Sequence, residues 1–296
     1  MNNMKSVYGQ AKDNYMFKIR MKSTILFIWF LLLTIICLLP IYLLLVNATR
    51  DSNQIASNFS LLPGSNLSNN FSGMKEKFGA QFKPLIGYRN SAIITISATF
   101  LTVFFSALTA YGIHVYDFKL KEVSYTVVLL VMMVPTQVTA AGFLNFMMKI
   151  HWNDTYFPLI LPAIAAPAVV FFMRSYMKSS FPLDIVEAAR IDGSGEFRTF
   201  LTIAIPMMKP AIAVQAIFAF VANWNNFYTP SMILIDGDVQ KKTLPMMVQA
   251  IQASDKVRDY GVVYFCIALS IIPIVVAYVC LSKFIIAGVA LGGVKE

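Results

Sequence analysis

Charge is scarce in this 296-residue chain: only 13% of residues are Asp, Glu, Lys or Arg, and 57% are hydrophobic. Soluble domains carry charge on about a quarter of their residues, so this balance, with a mean hydropathy of +0.65, excludes an ordinary water-soluble globule. Cysteine is nearly as scarce. Cys37, Cys266 and Cys280 all fall inside apolar runs without metal-type spacing, which excludes a zinc site or a disulfide framework and leaves them as small packing residues. There are two histidines, His114 and His151, both at the edges of apolar runs or in loops. No HExxH helix and no deep Ser/His pair exists, so an intramembrane hydrolase has no chemistry to work with. No GxxxxGK[ST] loop exists to cradle nucleotide phosphates, so the chain cannot hydrolyse ATP alone. No acidic or basic residue lies in the interior of an apolar run, which removes the ionisable relay that ion-coupled carriers use. Any uphill work must be driven by another subunit.

What is present is six apolar stretches, each long enough to cross a hydrocarbon core that needs roughly 20 helical residues. They lie near 23–46, 91–113, 124–148, 156–175, 211–234 and 262–284. The expected fold is therefore an all-α membrane protein with six transmembrane helices. Pro40, Pro135, Pro162, Pro167 and Pro273 interrupt the runs, as is tolerated where neighbours satisfy the freed backbone groups. The first run is too long for a cleaved signal and has no small-residue cleavage site, so it reads as a retained span. Lys5, Lys12, Lys18, Arg20 and Lys22 precede it and only Arg50 closely follows, which places the N-terminus in the cytoplasm. Six crossings return the C-terminus to the same side. The organisation expected is a cytoplasmic tail over 1–22, the first span, an extracytoplasmic loop over 47–89, a core of five spans over 90–287 and a cytoplasmic tail over 288–296. The loop's Asn, Ser and Gly content predicts irregular structure, and its N-x-S/T sequons at Asn47, Asn58, Asn66 and Asn70 read as chance in an Asn-rich stretch. The net charge of +9 does not point to nucleic acid, because the basic residues are distributed between apolar runs rather than gathered on one face.

Between the fourth and fifth runs the chain reads SSFPLDIVEAARIDGSGEFRTFLTIAIPMMKP, too polar for lipid yet patterned for helix. Ser180 is expected to cap a short helix with Pro182 in its first turn, and Asp184 and Glu187 sit near its positive end. Gly193 should end that helix in a left-handed conformation. Ser194 should cap a second helix bearing Phe197, Phe200, Leu201 and Ile205, stopped by Pro206 and Pro210. The result is two helices meeting at a glycine elbow.

This segment resembles the signature of binding-protein-dependent ABC importer permeases, E-A-A, three residues, G, nine residues, I-x-L-P. Glu187, Ala188, Ala189, Gly193, Ile203 and Pro206 match it, and Ile205 departs from the usual Leu. Six such matches arise by chance on the order of 1 in 10,000. NSAIITISATFLTVFFSALTAYGIHVYDFK (90–119), NWNNFYTP (223–230), TLPMMVQ (243–249) and FIIAGVALGGVKE (284–296) resemble the carbohydrate permeases of this group, the maltose-type second permease. The resemblance implies a second permease subunit, two ATP-binding subunits, an extracytoplasmic solute-binding protein and a di- or oligosaccharide as cargo, with no cofactor of its own. It makes Glu187, Ala188, Ala189, Asp192, Gly193 and Pro206 the coupling site for an ATPase in the cytoplasm of a bacterial inner membrane. A related permease of glycerol phosphate is the alternative cargo class, and a non-transporting scaffold the alternative role.

For the pathway, Asn223, Trp224, Asn225, Asn226 and Tyr228 place amides and aromatics at depth in the fifth span, and Gln137 follows Pro135 in the third. Such groups either meet sugar hydroxyls or bond across helices to hold the bundle. The sixteen methionines are read as packing.

Overall fold

The structure is a computed structural model that describes residues 2–254 and 259–293, and every regular element among them is helical. In chain order these are α1 (Asn2–Asn47), α2 (Ser52–Ser57), α3 (Leu67–Phe78), α4 (Pro84–Val115), α5 (Lys121–Met132), α6 (Thr136–Lys149) and α7 (Phe157–Ile160), the last continued by a 3₁₀ turn at Leu161–Ile164. There follow α8 (Pro167–Ser180), α9 (Asp184–Ile191), α10 (Glu196–Thr199), a π turn at Phe200–Ala204, α11 (Ile205–Met207), α12 (Lys209–Trp224), α13 (Tyr228–Ile233), α14 (Leu244–Gln252) and α15 (Tyr260–Gly293). Four segments among the described residues are long and apolar enough to cross a membrane, Ile19–Asn47, Pro84–Val115, Phe157–Ser180 and Tyr260–Cys280, and the number rises to six if each of two bent helix pairs counts as one span. The tails expected at either end are helical as far as the description reaches, from Asn2 and to Gly293, and residues 294–296 lie outside it.

Prolines explain where the expected straight spans are interrupted. The third run breaks at Met133–Pro135, and the helices on either side differ in direction by 98°. Pro135 lacks an N–H and disfavours helix at the residue before it, so α5 stops just short. The fifth run, expected as one helix to 234, ends at Trp224 and resumes at Tyr228. Asn side chains compete for nearby backbone groups, and here the Asn226 carbonyl oxygen accepts from the Thr229 N–H at 3.2 Å.

The chain divides into two compact units, 1–72 with 258–268 and 73–257 with 269–296. In the first, the loop after α1 is irregular over 58–66, between α2 and α3, and is held by buried hydrogen bonds. Arg50 is buried and donates to the carbonyls of Gln54 and Asn58, both at 2.8 Å, and α2 carries a capping box from Asp51 and Gln54. The Asn70 amide, also buried, donates to the carbonyls of Ala48 and Arg50 at 2.9 and 3.0 Å. Buried polar groups with partners on both sides fix the loop in a way its composition does not announce. A glycan on Asn70 has no room there.

The second unit is built around α4. Ala98, Ala107, Ala110 and Ser106 are fully buried along it, small residues that let α8 and α12 approach closely. The same helix supplies hydroxyls where proline has removed a backbone donor. Pro273 cannot donate to the carbonyl four residues earlier, and the Tyr88 hydroxyl donates to that Leu269 carbonyl at 2.5 Å. Where Pro167 interrupts the fourth span, Thr102 Oγ1 donates to the Ala163 carbonyl at 3.0 Å. α15 therefore passes Pro273 without a break. Tyr88→Phe leaves Leu269 unpartnered and is expected to cost about 1–3 kcal/mol, read as a lowered Tm of the purified protein in detergent; an unchanged Tm contradicts the assignment.

Candidate functional site

The elbow is built from the inside outward. Phe181 and Val186 face inward and join Tyr111 of α4, Met173 and Met177 of α8, Phe200 and Ala204 of the π turn, Met208 and Ala211 in one buried cluster, and Ala189 is buried on the same side of α9. The Tyr111 and Phe200 rings lie 5.4 Å apart, with Phe181 edge-on to Tyr111 at 6.3 Å. Val186 and Ala189 are three residues apart, so α9 turns one stripe inward and leaves Glu187, Ala188 and Asp192 exposed, with Ile191 86% accessible.

The turn itself follows glycine chemistry. Gly193 has φ +77°, its N–H reaches the Arg190 carbonyl at 3.0 Å, and the Ser194 N–H reaches the Ala189 carbonyl at 2.9 Å. These two bonds form a Schellman cap, as the glycine predicts. Open space surrounds Gly193, so its backbone conformation and not crowding demands the residue.

Three sequence expectations need correction here. Ser180 is the last residue of α8 and lies 3.1 Å from Ser179 Oγ rather than capping α9, which starts at Asp184 with no side-chain cap. Ser194 does not cap α10 either; Gly195 holds that position, and Ser194 Oγ accepts from Thr199 Oγ1 at 3.0 Å. Pro206 does not stop the second helix. The Ile205 N–H reaches back five residues to Phe200, and this wider turn carries the winding through Pro206 to Met207 before the chain bends by 81° into α12.

Two charged groups that the motif does not mark brace the elbow. Arg190 Nε and Glu196 Oε1 lie 2.7 Å apart across the turn, and the Tyr116 hydroxyl at the end of α4 donates to Glu196 Oε2 at 2.9 Å. Burial and then this bond push the Tyr116 phenol up to about 12, so it remains a donor at any physiological pH. Arg190, held by Glu196, is raised further above its ordinary value. A third group, Arg174, revises the reading that the spans lack charge. α8 extends past the apolar run to Ser180, and Arg174 is buried within it, 3.6 Å over the Tyr125 ring and 3.5 Å from Glu122. Sequence signals for these were available only as i,i+6 and longer separations, which no helical period marks.

The pathway residues of the fifth span line three spaces, two of which meet at Trp224. Trp224 is buried, stacked on Phe220 at 5.8 Å, with its indole N–H 3.4 Å from the Ser270 carbonyl. Asn223 and Asn226 line a narrow crevice with Ser91, Thr95 and Thr243, while Asn225 faces a cavity of about 250 Å³ with Phe227, Gln249 and Ser270. Tyr228 lines a separate cavity of about 630 Å³ with Thr139, Phe143, Thr229 and Met232. Gln137 is exposed and lines none of the three.

Helices fit for crossing a membrane, broken at prolines and joined to an elbow outside the apolar runs, define a membrane permease. Residues 102–290 match the family of binding-protein-dependent transport system inner membrane components, and the chain belongs to it. It is 31% identical to the arabinooligosaccharides transport system permease protein AraQ of Bacillus subtilis over 90% of this chain and 94% of that protein. It is 30% identical to the trehalose/maltose transport system permease protein MalG of Thermococcus litoralis, over 93% of this chain and 98% of that one. The fold matches a chain in the crystal structure of a bacterial ABC transporter involved in import of the acidic polysaccharide alginate, with a TM-score of 0.74 at 18% identity, covering 89% of this chain and 96% of that one.

Phe200 and Phe197 separate core from surface within one turn. Phe200→Ala should destabilise the elbow by about 3–5 kcal/mol and Phe197→Ala, whose ring is exposed, by far less. Limited trypsin digestion at Arg190 and Arg198 reads the difference; equal sensitivity of the two variants contradicts the packing.

Proposed function

We propose that the chain is one of two permease subunits of an ABC importer that carries a di- or oligosaccharide delivered by an extracytoplasmic binding protein. The bent pairs α5–α6 and α10–α12 count as the third and fifth of six spans, with both termini cytoplasmic. Family membership supports the transport role, and the arabinooligosaccharide transport named for AraQ and the trehalose/maltose transport named for MalG support the cargo class. A chain without a phosphate loop needs separate ATP-binding subunits, and the observation that carries the proposal is where such a subunit has purchase. Glu187, Ala188, Ile191 and Asp192 form an exposed strip beside Gly193, and the other face of the same helix is fused to α4, α8 and α12 through the buried cluster. A push on the strip moves membrane helices. Pro206 and Ala189 contribute from behind, by shaping the second arm and by seating α9 on its own core.

Sugar passage is assigned to the broken part of the fifth span. Asn225 and Gln249 in the smaller cavity and Tyr228 with Thr139 in the larger one offer hydroxyl partners beside aromatic rings. Asn223, Asn226 and Gln137 are the outer candidates, and Trp224 fits the bundle-holding reading through its bond to Ser270.

Glu187→Lys reverses charge on an exposed side chain, and Gly193→Pro forces φ to about −65° where +77° is required. Both variants should insert normally and still assemble the ATPase activity of the complex in part, yet lose at least about tenfold in ATP-driven uptake, a coupling loss of roughly 1.4 kcal/mol or more. Undiminished uptake by both in membrane vesicles defeats the proposal.

A further inference from the structure

The loop that leaves α1 folds back along it. Two residues just past the helix end hold the loop at separate points: Arg50 Nη2 donates to the Asn58 carbonyl at 2.8 Å, and Thr49 Oγ1 accepts from the Gly64 N–H at 2.8 Å. Between those anchors the Tyr42 hydroxyl donates to the Leu61 carbonyl at 2.6 Å. Tyr42 stands five residues before the last residue of α1, about 7–8 Å back along the axis at 1.5 Å per residue. Residues 59–63 thus hang from supports beyond the helix and dip to a level inside its apolar span.

The side chains on this dip are the wrong ones for water. Phe59 is 76% exposed, Leu62 74%, and Leu61 is exposed between them. From Ser52 through Met74 the chain has no acidic or basic residue. Part of the backbone at the dip is held internally: the Leu61 carbonyl accepts from Tyr42, the Leu62 N–H reaches Ser60 Oγ at 3.0 Å, and Pro63 has no N–H to satisfy. The remaining backbone groups fit the headgroup boundary, where water reaches them, and not the hydrocarbon core. Tyr42, with its ring against the span and its hydroxyl on the loop, has the position of an interfacial aromatic anchor.

We infer that residues 59–63 form a membrane-dipping loop, with Phe59, Leu61 and Leu62 seated at the headgroup–acyl boundary of the leaflet at the C-terminal end of α1. Its occupant is lipid, because the dip is continuous with the lipid-facing surface of a helix whose apolar window is nowhere buried. A charged protein partner would find no charge to pair with. The loop fixes how deep α1 sits, and does so whatever solute the protein carries.

The test uses the full chain, with its co-purifying subunits, in liposomes of phosphatidylethanolamine and phosphatidylglycerol. Cys37 and Cys280, both exposed, are replaced by Ala, and Leu62→Cys, Phe59→Cys and, for comparison, Ser68→Cys carry a nitroxide. Relaxation by oxygen, which concentrates in lipid, is compared with relaxation by a water-soluble nickel chelate. The labels at 59 and 62 should respond to oxygen several-fold more than to nickel, and the label at 68 should respond mainly to nickel. A nickel response at 59 and 62 equal to that at 68 overturns the inference in favour of an aqueous or binding-protein face. Low response to both reagents overturns it in favour of a protein-covered surface.

Discussion

Backbone polar groups that lie in lipid must find partners within the protein, and the prolines of this chain make that demand acute. Pro167 and Pro273 each remove a donor within a membrane helix. Thr102 and Tyr88, both on α4, hold the carbonyls left at those breaks. α4 is therefore both the packing spine and the hydrogen-bond donor for the spans that break, and its small residues and its hydroxyls serve one end. With these hydroxyls in place, α15 passes Pro273 and the fourth span turns at Pro167 without leaving the Leu269 and Ala163 carbonyls unpartnered.

The same helix carries the mechanical argument. Its C-terminal end contributes Tyr111 to the buried cluster under α9 and Tyr116 to the bridge with Glu196 and Arg190. Val186 anchors the elbow on that cluster, Ala189 is buried beside it, and their neighbours Glu187, Ala188 and Ile191 remain outside. Close-packed contacts transmit displacement because they do not compress. The division of α9 into an inward stripe and an outward strip is thus the physical content of the two alanines: Ala189 fits the chain's own core, and Ala188 leaves the surface flat.

Much of this was readable beforehand, and what was not has identifiable causes. Long apolar runs located the four membrane-long helices and the two bent pairs, since length and composition depend on no tertiary detail. Gly193 announced its left-handed cap because a positive φ has few occupants. The cap assignments for Ser180 and Ser194 failed because a serine near a helix start is only one of several ways to settle the first N–H groups, and here α8 ran on to Ser180 while Gly195 took the other position. Pro206 misled because a π turn relieves the clash that normally ends a helix. The pathway residues were grouped by adjacency in sequence; Trp224 borders both the crevice of Asn223 and Asn226 and the cavity of Asn225, and beyond the break at Asn225–Phe227 Tyr228 lines a third space. Arg50, Arg174 and Glu196 escaped notice because their importance comes from partners that only the fold brings near.

The account stands on the claim that the outward strip of α9 is held by a separate ATP-hydrolysing subunit. Thiol cross-linking in intact membranes addresses it directly, with a short bifunctional maleimide, Ala188→Cys on the strip, and the buried Ala189→Cys as reference, each adduct identified by mass spectrometry. The prediction is one dominant adduct at 188, to a protein bearing a GxxxxGK[ST] nucleotide-binding loop, and little or none at 189. Adducts at 188 only to proteins without such a loop, or equal yields at both positions, contradict it.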